Sequence, residues 1–152
     1  MRTFVCILLS YLCLCLMACT KEYYNPIPVR RVYLEVDLNY RDKELQAFAS
    51  HKIFTSKNTI NGKEQTGFAG VLVTCTLFGE YKAFDAACPH EARTDAVIEI
   101  DEEYNAVCKV CGSKYEVILN YGSGACIGGP SKHPLRLYRT SLSGNMLIVR
   151  NY

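Results

Sequence analysis

The stretch "GVLVTCTLFGEYKAFDAACPH", residues 70–90, has the pattern of a β-hairpin that ends on metal-ligand residue types. Its first arm is apolar, which predicts a buried strand. A Gly-Glu pair at 79–80 supplies the turn, and the second arm runs directly into Cys88-Pro-His90. The sequence therefore predicts a hairpin that holds Cys88 and His90 at its end.

The rest of the chain also has the pattern of short strands between turns. The segment "VYLEVDLNY", residues 32–40, alternates apolar and polar side chains, as a half-buried strand does. Residues 41–50 are expected to form a turn or a single helical segment, and residues 58–70 a loop. Short strands at this spacing predict an all-β fold, a small antiparallel sandwich or barrel. The further strands are expected near residues 96–100, 104–107, 115–119, 135–139 and 146–150.

A second pair of ligand types follows in "CKVCGSKY", residues 108–115. A Cys-x-x-Cys by itself is compatible with a zinc half-site, a redox pair or half of an iron–sulfur site. Together with Cys88 and His90 on another loop, Cys108 and Cys111 predict one metal site, since thiolates and imidazole suit zinc or iron–sulfur centres. The alternative is a set of reduced or disulfide-linked cysteines beside a surface histidine.

These two loops resemble the Rieske domain, which has Cys-x-His in one loop and Cys-x-x-His-Gly-Ser-x-Tyr/Phe in the other. The segment "GGPSKHPLRLY", residues 128–138, resembles the Gly-Pro loop that follows in that family. The resemblance runs from about Gly67 to the end, and the layout is similar to Rieske-like lipoproteins of Bacteroidetes-type bacteria. It implies a small Rieske-like antiparallel β sandwich or barrel with a two-loop cluster-binding subdomain.

The resemblance also implies a [2Fe–2S] cluster and a ligand set for it. Cys88 and Cys108 would hold the inner iron, and His90 the outer iron. Cys111 stands where the family has its second histidine. A set of three cysteines and one histidine is a recognised zinc set as well, so Zn²⁺ or no metal at all remains the alternative.

Four further residues have implied roles around the cluster. The Ser113 hydroxyl would donate to a bridging sulfide, and the Tyr115 hydroxyl would donate to a cysteine sulfur, that of Cys88. Gly112 would let the backbone pass close to the cluster, and Pro130 would lie in the loop that covers it.

The N-terminus predicts an exported protein. Residues 4–17, "FVCILLSYLCLCLM", form an apolar run that is short for a membrane span and typical of a signal-peptide core. The run ends in "LMAC", which resembles the bacterial lipobox, so Cys19 is expected to carry lipid and to anchor the protein to a membrane. The expected location is the bacterial cell envelope, facing the periplasm or the cell surface. The predicted divisions are a signal peptide at 1–18, a tether at 19–30 and a Rieske-like domain at 31–152.

Five cysteines would remain besides the lipidated one, and an odd number disfavours a simple disulfide framework outside the cytoplasm. Cys75 lies in an apolar strand and is expected in the core. Cys126 is compatible with a free thiol, a disulfide partner or an alternative ligand. His133 offers a further imidazole, although a histidine before proline in a loop is more often exposed.

Three functions are compatible with these features. The first is a membrane-anchored one-electron carrier that serves an unknown redox partner protein. The second is a zinc-stapled or metal-free binding or structural lipoprotein. The third, a thiol–disulfide protein using Cys108 and Cys111, ranks last because the motif does not begin a helix. We expect no catalytic activity of its own. The net charge of +2, with no basic cluster beyond Arg30-Arg31, predicts no nucleic-acid binding.

The lipobox resemblance generates a first prediction. The substitution Cys19→Ser should release the protein from the membrane fraction and prevent normal signal cleavage, because the acylated side chain is lost. Fractionation and intact-mass measurement check this. Unchanged processing and membrane binding of the variant would contradict the lipobox interpretation.

Overall fold

The computed structural model describes residues 24–55 and 65–152, and the fold is all-β, as predicted. A seven-stranded antiparallel sheet forms a nearly closed barrel, and a second sheet has four strands. The strands are β1 (Val32–Asp37), β2 (His51–Phe54), β3 (Gln65–Thr66), β4 (Val71–Cys75), β5 (Tyr81–Asp85), β6 (Ile98–Ile100), β7 (Asn105–Cys108), β8 (Lys114–Glu116), β9 (Cys126–Gly128), β10 (Leu137–Ser143) and β11 (Met146–Arg150).

The large sheet has the strand order β2-β4-β5-β10-β11-β1-β3. In β1, Val32, Leu34 and Val36 are buried and alternate with half-buried polar side chains, as the sequence pattern predicted. Leu34 pairs with Val149 and Val36 with Leu147 on β11, and all four lie in the barrel core. Burial of each such side chain stabilises the fold by about 2 kcal/mol, so this pairing is a main source of barrel stability.

The small sheet has the order β6-β7-β8-β9 and packs against the β4–β5 hairpin. Its core cluster includes Ile98, Ala106 and Tyr115, together with Leu72 and Phe84 from the hairpin. The same cluster contains two of the predicted ligand cysteines. The small sheet is thus attached to the barrel through an apolar interface, and its identity as the cluster-binding subdomain that the resemblance implies stays a prediction.

Most predicted elements are present, with some differences. The hairpin forms, with Val73 opposite Ala83, but β4 ends at Cys75 because Leu77 and Phe78 are exposed in the turn. The helical segment is a single 3-10 turn, Lys43–Gln46. Strands β2, β3 and β9 were not predicted.

A buried carboxylate joins the barrel to the first ligand loop. Asp85, at the end of β5, accepts hydrogen bonds from the backbone N–H groups of Phe68 (2.8 Å), Ala69 (3.3 Å) and Ala87 (2.9 Å). The Tyr138 hydroxyl donates a fourth, 2.6 Å long. Burial, with the neighbouring carboxylate, raises the pKa of Tyr138, which keeps its hydroxyl protonated. Asp85 thus holds three separate segments together beside the first ligand loop.

The predicted signal peptide and Cys19 lie outside the described residues. The described part of the predicted tether contacts the domain, because Asn25 donates to the Pro134 carbonyl and Arg136 donates to the Asn25 carbonyl. Ile27 is buried. No helix within the described part of the chain has the length and apolar character needed to cross a bilayer.

The Asp85 network generates a second prediction. Asp85→Asn should lower the free energy of unfolding by about 3 kcal/mol, because an amide nitrogen would face buried N–H donors. Urea unfolding measures this. Asp95→Asn is the matched control, since Asp95 is exposed and its ion pair with Arg93 is a surface pair that stabilises little. Equal effects of the two substitutions would contradict the proposed importance of the network.

Candidate metal centre

Three cysteine sulfurs converge at the end of the small sheet. The Sγ atoms of Cys88, Cys108 and Cys111 all lie within 4.8 Å of one another. The sulfurs of Cys88 and Cys111 are 3.6 Å apart. Cys88 and Cys108 are fully buried, and Cys111 is half-buried. Three thiols in this arrangement can bind a metal ion, and they are three of the four predicted ligands.

The first loop places Cys88 through backbone hydrogen bonds. Its N–H donates to the Ala96 carbonyl (2.9 Å), and its carbonyl accepts from the Ala92 N–H (2.8 Å). Ala92 has a positive φ of 49°, which marks a tight turn. The chain therefore leaves β5, turns sharply after Cys88 and returns beside it towards β6.

The second loop is the β7–β8 turn. The Cys108 N–H donates to the Ser113 carbonyl (2.9 Å), and the Gly112 N–H donates to the Cys108 carbonyl (2.8 Å). Gly112 has φ +73°, and a Cβ at this position would meet no atom within 4 Å. The left-handed turn conformation at position 112 therefore favours glycine. No described part of the chain would crowd a side chain at this position, and the expected close approach of its backbone to a cluster stays a prediction.

Two hydroxyl groups contact the sulfurs. The Tyr115 hydroxyl, on a fully buried ring, lies 3.3 Å from the Cys88 sulfur, the contact that the Rieske resemblance implies. The Cys111 thiol donates to the Ser113 hydroxyl oxygen at 3.2 Å. That oxygen also accepts the Ser131 N–H at 3.0 Å. The site therefore has hydrogen-bonding groups around its sulfurs on the buried side.

The Gly-Pro loop packs directly on the second ligand loop. A Cβ at Gly129, which has φ +83°, would lie 2.5 Å from the Ser113 Cα. Pro130 is exposed beside this contact, and its covering role stays a prediction. Ser131 was missed from the sequence, because only its fold-dependent contact with Ser113 distinguishes it from any loop serine.

The other candidate side chains lie outside the group of three sulfurs. His90 is exposed, and its role as a ligand stays a prediction. His133 is half-buried, and its carbonyl accepts the Ser131 hydroxyl. Cys126 is half-buried in β9, opposite Tyr115. Cys75 is buried in β4, as expected for a core residue.

The pKa values of two thiols and one phenol at the site are shifted from their ordinary values. Burial raises the pKa of the Cys108 thiol to about 11. Burial acts in the same direction on Cys111, but the Ser113 hydroxyl and backbone and the two neighbouring cysteines outweigh it and lower the pKa of Cys111. Burial, with the nearby Cys88 sulfur, raises the pKa of Tyr115, so this phenol stays a hydrogen-bond donor.

No protein-family model matches this chain, and no curated protein matches its sequence. The assignment of a metal centre therefore depends on the arrangement of these side chains and on the two ligand loops.

The loop contact generates a third prediction. Gly129→Ala should lower the free energy of unfolding by about 2 kcal/mol more than Gly144→Ala, because its methyl group would collide with the Ser113 backbone. Gly144 is a matched control, since it also has a positive φ but open space around a Cβ. Denaturant unfolding of both variants checks this, and equal losses would mean that the loop contact is unimportant.

Proposed function

We propose that this protein is a Rieske-type one-electron carrier of the bacterial cell envelope, with a [2Fe–2S] cluster held by Cys88, His90, Cys108 and Cys111. The observation that carries this proposal is the pair of buried hydroxyls at the sulfurs, Tyr115 on Cys88 and Ser113 on Cys111. Hydroxyl donors to cluster and ligand sulfurs tune reduction potential, a property that matters to a redox centre.

The donor set fits such a cluster. Three thiolates and one imidazole are soft and borderline ligands suited to iron–sulfur chemistry, and a bound cluster supplies the uptake and release of one electron. Cys88 and Cys108 are shielded from solvent on the inner side. The Tyr115 hydroxyl lies beside the Cys88 sulfur on this side, and a hydrogen bond donated by it would stabilise the more negative, reduced state.

The outer side of the site is open to a partner. His90 is exposed and Cys111 is half-buried, and the apolar side chains of Val110 and Ile127 are each 55% exposed. Val110 lies between the two cysteines of the second loop, and Ile127 lies on edge strand β9. An exposed apolar side chain in the ligand loop itself, that of Val110, suits transient contact with a redox partner protein.

Cys111 should set an unusual potential. A thiolate in place of a neutral imidazole adds one negative charge, which disfavours uptake of an electron. The potential should therefore lie below the Rieske range of roughly −150 to +300 mV, towards the plant-type ferredoxin value of about −400 mV. A hydrogen bond from Tyr115, and one from Ser113 once Cys111 is a thiolate, would oppose this change without cancelling a full charge.

A mononuclear zinc centre is the second candidate, and the sulfur spacing favours it. A Zn–S bond of about 2.3 Å in a tetrahedron places two sulfurs about 3.8 Å apart. The observed distance between Cys88 and Cys111 is 3.6 Å. In a two-iron cluster these two residues would bind different irons and lie farther apart. With His90 as fourth ligand, zinc would staple the two loops together.

The location is proposed from the N-terminal sequence. The apolar run and the lipobox-like "LMAC" support lipidation of Cys19 and a membrane anchor. An anchored carrier meets membrane-bound partners without diffusing through the bulk solution, which suits a module that acts by contact with a partner protein.

Metal analysis of protein purified without oxygen supplies the fourth prediction. We expect about two iron and two sulfide per chain, with visible absorption. Cys88→Ser and Cys108→Ser should lose the metal, whereas Cys126→Ser, outside the sulfur group, should retain it. One zinc per chain would replace the first candidate by the second, and no metal in the unaltered protein would contradict both.

The Tyr115 contact generates a fifth prediction. Tyr115→Phe removes a hydrogen bond to the Cys88 sulfur and should lower the potential by about 40 mV, the equivalent of roughly 1 kcal/mol for one electron. Tyr104→Phe is the control, because Tyr104 is exposed in the turn before β7. Redox titration followed by visible absorption measures both variants, and an unchanged potential in Tyr115→Phe would contradict the tuning role.

A further inference from the structure

The contact between Cys88 and Cys111 joins two separate hairpins. Cys88 follows the β4–β5 hairpin, and Cys111 lies in the β7–β8 turn, 23 residues later. Their sulfurs are in van der Waals contact at 3.6 Å. A disulfide requires about 2.05 Å, so the two sulfurs need to approach by about 1.5 Å. A small rotation of the half-buried Cys111 side chain is the natural route to that approach.

We propose that Cys88 and Cys111 form a disulfide when the site is free of metal, so that oxidation and metal binding compete for the same two sulfurs. The proposal rests on the metal centre described above and adds a redox-controlled off state to it. A metal ligand must be a thiolate, and a sulfur engaged in a disulfide is no longer one.

The oxidant is a disulfide, of a small molecule or of a protein. The Cys111 thiolate attacks one sulfur of this disulfide, forming a mixed disulfide and releasing one thiol. The Cys88 thiolate then attacks the Cys111 sulfur, which forms the internal bond and releases the second thiol. Two protein thiols are thereby oxidised, and one external disulfide is reduced to two thiols.

The two positions suit this order of events. Cys111 is half-buried and reachable from solvent, whereas Cys88 is fully buried behind it. An external disulfide therefore meets Cys111 first, and Cys88 is already beside the resulting mixed disulfide. The Ser113 hydroxyl, 3.2 Å from the Cys111 sulfur, is the contact that breaks as the side chain turns.

The spacing of the motif alone favours a different link. Cys-x-x-Cys predicts a disulfide between Cys108 and Cys111, within one turn. The folded chain places the Cys111 sulfur 3.6 Å from that of Cys88, which comes from the other hairpin, although the Cys108 sulfur also lies within 4.8 Å of both. Cys126 is half-buried on β9 and outside the sulfur group, so it serves as an internal control for non-specific oxidation.

Trypsin separates these cysteines, which makes the test direct. Cleavage after Lys and Arg places Cys88 in peptide 83–93, Cys108 in 94–109, Cys111 in 110–114 and Cys126 in 115–132. Reduced, metal-free protein is treated with oxidised glutathione, remaining thiols are blocked with N-ethylmaleimide, and the peptides are identified by mass spectrometry. We expect peptides 83–93 and 110–114 joined, with 94–109 and 115–132 carrying the blocking group.

Variants test the order of the steps. Cys88→Ser should accumulate glutathione on Cys111, because the resolving thiol is gone, and Cys126→Ser should give the same link as the unaltered protein. A link between peptides 94–109 and 110–114, glutathione on Cys126 alone, or fully unmodified thiols in the unaltered protein would overturn the proposal. The linkage found in the unaltered protein decides the proposal, so the test does not depend on whether any variant folds.

Zinc distinguishes this proposal from the metal centre on which it rests. Zn²⁺ bound to the reduced protein before oxidation should slow formation of the link at least tenfold, and reduction of the disulfide should restore zinc binding. Equal rates with and without bound zinc would overturn the competition. Formation of the link in a protein that binds neither zinc nor iron would overturn the metal centre and support the disulfide.

Discussion

The Asp85 carboxylate is the interaction on which the arrangement of the ligand loops depends. A fully buried carboxylate is costly unless hydrogen bonds replace the lost water, and here three backbone N–H groups and the Tyr138 hydroxyl do so. One of those donors is Ala87, immediately before Cys88. The bond that stabilises the end of β5 therefore also sets the direction in which the chain enters the candidate metal centre.

The core of the small sheet and the proposed metal centre share the same residues. Tyr115 is fully buried among apolar side chains, and its hydroxyl reaches the Cys88 sulfur. Ser113 is held by Ser131, and Gly129 allows that loop to approach closely. Because the same contacts serve packing and the sulfurs, binding of a metal is expected to stabilise the fold, and loosening of the core is expected to weaken the site.

Cys111 is the residue that the proposed metal binding and the proposed disulfide formation both use. Its side chain is the most exposed of the three thiols, and it contacts both Cys88 and Ser113. The position that would carry extra negative charge into a cluster is thus also the position that an external oxidant can reach. A histidine there would offer a neutral ligand with no capacity to form a disulfide.

The local sequence pattern alone predicted several elements of the fold and both ligand loops. The period-two alternation of β1, the hairpin from residue 70 to 87 and the two ligand loops were predictable, because each depends on residues near one another in the chain. Only the tertiary structure decided which sulfurs touch, that Asp85 is a buried junction and that Ser131 supports Ser113. The two-residue strand β3 and the three-residue strand β9 likewise carry too little pattern of their own. They exist because neighbouring strands supply hydrogen bonds, and such partners come from residues far apart in the chain.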